Sequence, residues 1–220
     1  MKPHRYATRY AVPLGPENEY QTGSGRLVLR NHLGITRKSE MDAAEYACLV
    51  RVQARYLERV ITGDTRFTAK LICQMHRDWL GPIYPWAGKY RSVELSKDGF
   101  AWPSAYRISH NMEALERGVL RRHTPCRPAS LDIVAHRIAE VHAELMLIHP
   151  FREGNGRLGR WIADLMAFQA GLPAPSPAFG FSGRGSRKRS TRYIQAVNRG
   201  FDRDYEDLAA FFALAIESRL

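Results

Sequence analysis

The chain of 220 residues is 45% hydrophobic and 25% charged, and it has 33 Lys and Arg against 22 Asp and Glu, a formal net charge of +11. This length and composition fit one globular domain and exclude a disordered or fibrous chain. The positive charge favours acidic partners such as nucleotides, nucleic acids or acidic protein surfaces, without choosing among them.

The cysteines and the N-terminus narrow the class of protein further. Cys48, Cys73 and Cys126 are far apart and have no metal-ligand spacing, so we expect neither a disulfide framework nor a zinc cluster. No apolar run is long enough for a signal peptide or a membrane span. We therefore expect a cytoplasmic protein with no membrane contact.

The first half of the chain predicts an irregular arm, two helices and a hairpin. Residues 1–38 are rich in Gly, Pro and short polar residues and predict the arm, which ends at Ser39, a candidate helix N-cap. The compact domain is predicted over residues 39–220. Apolar residues recur with helical spacing from Glu40 to about Val60, and a second helix is predicted over Thr68–Leu80.

Prolines break this helical pattern before an alternating segment. The segment from Tyr90 to Phe100 alternates and contains an Asp98-Gly99 turn, which predicts a β-hairpin. An amphipathic stretch near Ser104–Arg122 follows, and Ser130 is predicted to cap a strong helix that ends at His149. Further helices are predicted from about Arg157 to Gly171, over Thr191–Asn198 and over Tyr205–Arg219. The fold class is therefore mainly α with one hairpin.

The joint between two predicted helices carries the chemistry. His149 to Arg160 reads His-Pro-Phe-Arg-Glu-Gly-Asn-Gly-Arg-Leu-Gly-Arg. An imidazole with a pKa near neutrality can take a proton from a hydroxyl, which makes His149 a candidate general base. Glu153 could hold Mg²⁺ against phosphate oxygens, although a helix-cap salt bridge is the alternative. Phe151 is predicted to pack and so anchor the loop.

The rest of the motif is suited to binding phosphate. Gly154 and Gly156 allow close backbone approach at a helix N-terminus, where anions bind, and the Asn155 amide can donate to a phosphate oxygen. A simple turn is the alternative. Arg157 and Arg160 share one helical face near that N-terminus, where two cations are unfavourable unless an anion balances them. Two cations at this end of a helix therefore indicate a polyphosphate ligand.

The twelve residues resemble the signature of the Fic family, His-x-Phe-x-Asp/Glu-Gly-Asn-Gly-Arg-x-x-Arg, at every defined position. The resemblance implies a Fic-like helical bundle and transfer of AMP from ATP to a Ser, Thr or Tyr hydroxyl of a target protein. It implies these roles: His149 as general base, Glu153 as Mg²⁺ ligand, Gly154, Asn155 and Gly156 as ligands of the α- and β-phosphates, Arg157 on the β-phosphate and Arg160 on the γ-phosphate.

Two further segments resemble parts of the family. The hairpin around Val93–Phe100 is similar to the family's flap near the active site, which pairs with the target as an added strand, and Lys97 is the candidate target contact. Tyr193–Asn198 is similar to a family helix whose Asn touches adenine, so Asn198 is a candidate ATP ligand. A purely structural helix is the alternative there.

One pattern of the family is missing from this sequence. Many members carry an inhibitory helix, Ser/Thr-x-x-x-Glu-Gly/Asn, and the nearest segment, Ser109–Ala114, lacks the final Gly or Asn. The resemblance then implies inhibition by a separate small antitoxin protein. Asn31–Arg37 is similar to that toxin group, whose members modify bacterial type II topoisomerases, so DNA gyrase and topoisomerase IV are candidate targets.

Three other functions stay open at this point. The basic run Gly183–Arg192 and the net charge allow direct nucleic-acid binding, but no helix-turn-helix or stacking pattern accompanies them, and a solvated loop or a docking patch is favoured. Other Fic-type enzymes transfer phosphate, UMP or phosphocholine, whereas Gly156-Arg157 matches the AMP-transferring form. A metal hydrolase would need His136, Glu140, His142 and His149 together, but 136, 140 and 142 diverge on the helix.

Overall fold

The computed structural model describes residues 16–62, 64–97, 99–175 and 186–220. Its elements are α1 (Lys38–Thr62), α2 (Ala69–Leu80), β1 (Ser96–Lys97), β2 (Phe100–Ala101), α3 (Ile108–Leu115), α4 (Arg121–His123), α5 (Leu131–Ile148), α6 (Asn155–Gln169), α7 (Ser186–Gly200) and α8 (Glu206–Glu217). Short 3₁₀ turns lie at Pro16–Asn18 and Ala105–Arg107, and a π-turn at Glu116–Leu120 joins α3 to α4. The predicted fold class, mainly α with one hairpin, is confirmed.

Helix α5 is the centre of the bundle and packs against α3, α6, α7 and α8. Its apolar residues recur on more than one face, and Val134, Ala135, Ile138 and Ala143 are fully buried. The end of α7 lies so close to α5 that a Cβ on Gly200 would be 2.6 Å from the Cβ of Ala143. Because α5 is held on several sides, the residue at its C-terminal end has a fixed position.

The hairpin is shorter than the alternating pattern predicts. β1 and β2 have two residues each, paired antiparallel as Ser96 with Ala101 and Lys97 with Phe100. Asp98 of the predicted turn lies outside the described residues. Val93 and Leu95 are buried beside Trp102, whose indole N–H donates to the Met146 carbonyl of α5 and so attaches the hairpin to the bundle.

Several helix boundaries in the structure differ from the predicted ones. α1 begins at Lys38, which places Ser39 in its first turn rather than at its N-cap, and α6 begins at Asn155 rather than near Arg157. Thr68 does cap α2, because its hydroxyl accepts from the Leu71 N–H at 3.0 Å. The predicted loop over 183–192 is helical from Ser186, and residues 183–185 lie outside the described part of the chain.

The described part of the predicted arm packs on the bundle. Residues 20 and 29 form an isolated antiparallel bridge, Val28 is 2% exposed, and the His32 N–H donates to the Ile83 carbonyl at 2.9 Å. The division of the chain at residue 38 or 39 stays a prediction. Within the described ranges, no helix is both long and apolar enough to cross a membrane.

Candidate active site

His149 ends α5 in a left-handed backbone conformation, with φ 50° and ψ 60°. The ring is nearly buried, with 6% of the residue exposed, and its Nδ1 lies 3.2 Å from the Met146 carbonyl oxygen. Because a carbonyl only accepts, this contact requires the hydrogen on Nδ1. In the neutral ring, Nε2 then carries the lone pair that a general base needs.

Two residues outside the motif fix His149. The Trp102 ring lies 4.3 Å from the His149 ring, centroid to centroid, and the Trp102 indole N–H donates to the Met146 carbonyl at 3.0 Å. The Arg91 side chain donates to the His149 carbonyl at 2.9 Å. The flanks of the hairpin therefore hold both the ring and the backbone of the candidate base.

The loop after His149 is held from inside the fold. Phe151 is fully buried, as predicted, and stacks on the His76 ring at 3.9 Å between centroids. Asn155 is 3% exposed, and its amide accepts from the Phe151 N–H at 2.9 Å and donates to the Phe151 carbonyl at 2.8 Å. In this structure the Asn155 side chain thus shapes the loop, and its role on phosphate stays a prediction.

Gly154 explains why this turn needs glycine. Its φ is 87°, and a Cβ there would lie 3.0 Å from the Trp79 ring and 3.2 Å from Leu80. The residue precedes α6, so the amides of the first turn of that helix are presented at a helix N-terminus, as an anion site requires.

His76 also holds the loop that follows His149. Its Nδ1 accepts from the Gly88 N–H at 2.8 Å, and its Nε2 lies 3.1 Å from the Glu153 carbonyl oxygen. Burial is the main reason that the pKa of His76 is lowered to about 4, so the ring is neutral at physiological pH. A neutral ring with the hydrogen on Nε2 satisfies both contacts.

The two motif arginines have different surroundings. Arg157 forms an ion pair with Glu45 on α1 at 2.5 Å, and its guanidinium lies 4.8 Å above the Trp79 ring. Arg160 hydrogen-bonds the hydroxyl of Tyr193 on α7. That hydroxyl in turn lies 2.7 Å from Nε2 of His142, which is 1% exposed.

A cleft of about 400 Å³ opens between the hairpin, the motif and α7. It brings together predicted site residues from separate parts of the sequence: Lys97, His149, Gly156, Arg160 and Asn198. The other predicted residues, Glu153, Gly154, Asn155 and Arg157, are outside this lining. The hairpin therefore does lie beside His149, and Phe100 at its edge stacks on Phe201 at 5.2 Å.

Sequence reasoning missed the residues that hold the motif in place. Arg91 and Glu45 are charged side chains whose partners lie far along the chain, and His142 was considered only as a metal ligand. Only Trp102 carried a local signal, as a large aromatic directly after the hairpin. The others look like surface polar residues in an amphipathic pattern.

Glu153 fits a shared Mg²⁺ site by its chemistry. Its side chain is 20% exposed, and its Oε1 accepts from the Gly154 N–H at 3.0 Å, at the turn that precedes α6. Mg²⁺ is usually bound by one or two carboxylates together with substrate phosphates, and a carboxylate at this place matches that pattern.

The residues of the alternative metal hydrolase have other partners. Glu140 contacts His123 at 2.5 Å and Arg122 at 3.2 Å, and His142 contacts Tyr193. His136 lies 3.7 Å from Glu206. Among the described residues, no group of three or more His, Cys, Asp or Glu is arranged to hold a metal ion.

Comparison with known proteins decides the family. Residues 66–167, which include α2, the hairpin and the whole motif, match the model of the Fic/DOC family. The chain carries a Fic/DOC family domain. The fold is also similar to that of solved structures: the BepC protein of Bartonella tribocorum, determined with bound AMPPNP, aligns with a TM-score of 0.64 and 20% identity, over 90% of this chain and 96% of that one.

Curated relatives of this chain share the name protein adenylyltransferase. The probable protein adenylyltransferase y4lH of Sinorhizobium fredii is 28% identical over 84% of this chain and 90% of its own length. The protein adenylyltransferase VbhT of Bartonella schoenbuchensis is 28% identical over 74% of this chain, which spans about a third (33%) of VbhT. These relatives confirm the predicted enzyme class, a Fic-domain transferase.

Proposed function

We propose that this Fic protein transfers AMP from ATP to a Ser, Thr or Tyr hydroxyl of a target protein. The observation that carries the proposal is the cleft in which His149, Gly156 and Arg160 face the hairpin residue Lys97. A base, a phosphate-binding helix terminus and a peptide-binding edge are thereby within one site. The names of the relatives support AMP as the transferred group.

The residues divide the reaction among them. His149 Nε2 takes the proton of the target hydroxyl, whose oxygen attacks the α-phosphorus of ATP. The new O–P bond forms as the bond between the α-phosphorus and the bridging oxygen breaks, and pyrophosphate leaves with the electron pair. The first-turn amides of α6 and the Arg160 guanidinium orient the phosphates and stabilise their charge.

Glu153 would hold Mg²⁺, which when bound neutralises phosphate charge. Asn198 and the apolar residues of α7 that line the cleft would contact the base of the nucleotide. Arg157 keeps its predicted place on the β-phosphate. The assignments of Glu153 and Arg157 rest on the motif, and that of Asn198 rests on its position in the cleft and on the resemblance.

The hairpin would bind the target as an added strand. β1 and β2 are two residues long, with Lys97 partly exposed at the cleft, and an edge of this kind offers backbone groups to an extended peptide. Main-chain pairing would place a target hydroxyl at His149 without requiring a particular side chain on either side of it.

Target and regulator rest on the sequence resemblance. We propose a type II topoisomerase, DNA gyrase or topoisomerase IV, as the target and a separate small antitoxin as the inhibitor. The resembling segment Asn31–Arg37 also has a structural role. The Asn31 amide donates to the Leu29 and Ile35 carbonyls at 3.0 Å and accepts from the Leu33 N–H at 3.1 Å.

Intact-mass analysis after incubation with ATP and Mg²⁺ tests the proposal. We expect the wild type to add about 329 Da to a topoisomerase subunit, the mass of one AMP. His149→Ala should lower the rate by roughly 10²–10⁴-fold, as expected for loss of a general base, while ATP still binds. An added phosphate or UMP mass would assign another transfer. Equal rates for the two proteins would refute the role of His149.

A further inference from the structure

Arg157 lies between two carboxylates of different burial. Its Nη1 is 2.5 Å from Glu45 Oε2, and its Nη2 is 3.7 Å from Glu153 Oε1. The Glu45 side chain is 4% exposed and the Glu153 side chain 20% exposed. The guanidinium thus contacts the buried carboxylate directly and stays beyond hydrogen-bond distance of the candidate metal ligand.

Glu45 is itself held in place from two sides. Its Oε1 accepts from the Tyr84 hydroxyl at 2.6 Å, and its backbone carbonyl accepts from the Trp79 indole N–H at 2.8 Å. The same Trp79 ring lies under the Arg157 guanidinium. Opposite charges attract strongly where little water is present. The buried Glu45, held by Tyr84 and Trp79, and the Trp79 ring under the guanidinium therefore determine which carboxylate Arg157 binds.

Glu153 needs its oxygens for other contacts. Oε1 already accepts from the Gly154 N–H, and a bound Mg²⁺ would require carboxylate oxygen as well. A guanidinium that moved by about 1 Å would form a hydrogen-bonded ion pair with Glu153, because 3.7 Å would shorten to an ordinary hydrogen-bond distance. Such a pair would compete with the metal ion for the same oxygen.

We infer that Glu45 is a positioning residue of the metal site, which acts by holding Arg157 away from Glu153. The inference rests on the proposed function in that Glu153 binds Mg²⁺ together with ATP. Glu45 touches neither nucleotide nor metal, and its effect passes through one guanidinium. Removing its charge therefore releases Arg157 toward Glu153 and weakens the metal site without removing a metal ligand.

Calorimetry on the full chain tests this inference without turnover. The dissociation constant of ATP is measured for a His149→Ala protein in excess EDTA and again in excess Mg²⁺. The constant in EDTA divided by the constant in Mg²⁺ is a ratio that rises as metal and nucleotide bind together more strongly. We expect Glu45→Gln to lower this ratio by about 10-fold, the low end of the effect of residues that support a metal ligand. Changes in fold stability alone would not alter the ratio.

Two further variants make the test specific. In a protein that already carries Arg157→Ala, adding Glu45→Gln should leave the ratio unchanged, because no guanidinium is left to compete. Tyr84→Phe removes one support of Glu45 but keeps its charge, so the ratio should fall less than in Glu45→Gln. If Glu45→Gln does not fold, Glu45→Asp replaces it, since it shortens the reach of the carboxylate by one methylene and should lower the ratio less.

The possible outcomes distinguish failure of this inference from failure of the proposed function. A Glu45→Gln protein that binds ATP with an unchanged ratio would overturn the inference and leave AMP transfer intact. A ratio that falls when Glu45→Gln is added to Arg157→Ala would also overturn it, because the loss could then not pass through Arg157. A His149→Ala protein that binds no ATP with or without Mg²⁺ would overturn both.

Discussion

Arg91→Lys should unfold the protein at a markedly lower temperature, because Arg91 joins the hairpin to the active-site loop. The side chain is fully buried and donates to the His149 carbonyl at 2.9 Å, the Val93 carbonyl at 2.7 Å and the Pro103 carbonyl at 2.6 Å. Its backbone N–H also donates to the Pro150 carbonyl at 2.8 Å. One side chain thus fixes three segments of backbone.

The size of the effect follows from these contacts. Lysine keeps the charge, but one ammonium group cannot reach carbonyls that a planar guanidinium fork satisfies together. Losing two hydrogen bonds from a charged donor, at about 1.5–3 kcal/mol each, destabilises the fold by at least about 3 kcal/mol. For a chain of this length, that lowers the melting temperature by roughly 6–12 °C.

Thermal unfolding followed by circular dichroism measures the change. The exposed Arg51, replaced by Lys, is the matched control and should melt like the wild type. Hydrogen exchange adds local detail, since the Trp102 N–H, bonded to the Leu95 carbonyl at 3.0 Å, should exchange faster in Arg91→Lys. Melting of Arg91→Lys within about 2 °C of the wild type would refute the reasoning, because this shift is below about 1 kcal/mol.

Three further predictions concern the phosphate site, the helix contact and acid stability. Arg160→Ala should raise the ATP concentration needed for half-maximal transfer, because a phosphate contact is lost; an unchanged ATP dependence would contradict its role. Gly200→Ala should cost about 1–3 kcal/mol in urea unfolding, since its Cβ would meet Ala143, whereas a Cβ at Gly118 meets nothing within 4 Å and Gly118→Ala should not destabilise. Burial lowers the pKa of His76 to about 4, so the unfolded state binds a proton first as the pH falls below about 6.5, and stability should drop by about 2 kcal/mol between pH 7 and pH 5. His76→Gln should lose that part of the pH dependence.

Local sequence patterns predicted the helices and the hairpin well where a single local property, such as side-chain spacing or a capping residue, determines the structure. Thr68 caps α2, the stripe on α5 ends at His149, and the hairpin lies where the alternation stops, because side-chain spacing and caps are local properties. The strands are two residues long, although the Trp102 N–H still donates to the Leu95 carbonyl and the buried Val93 and Leu95 pack beside Trp102. Helix α6 starts two residues early because Gly154, with φ 87°, acts as its cap.

The candidate site could be predicted only in part, for a physical reason. The motif predicts candidate groups for the chemistry, since a base, a carboxylate and arginines in this order have few other uses. Their partners Glu45 and Tyr193 lie on other helices, and nothing in the sequence around either residue indicates which motif arginine it contacts. Such partners can be identified only from the structure, which places Glu45 of α1 and Tyr193 of α7 next to the motif arginines of α6.

The backbone of His149 shows why these distant partners matter. A non-glycine residue with φ 50° is strained by of order 1 kcal/mol, yet the turn is needed to direct the ring into the cleft while the chain continues into the phosphate loop. The Arg91 hydrogen bond to the His149 carbonyl and the Trp102 ring hold this conformation from the hairpin side. The hairpin that would bind the target therefore also sets the orientation of the base, so a substitution at its root should reduce transfer even where ATP binding is unchanged.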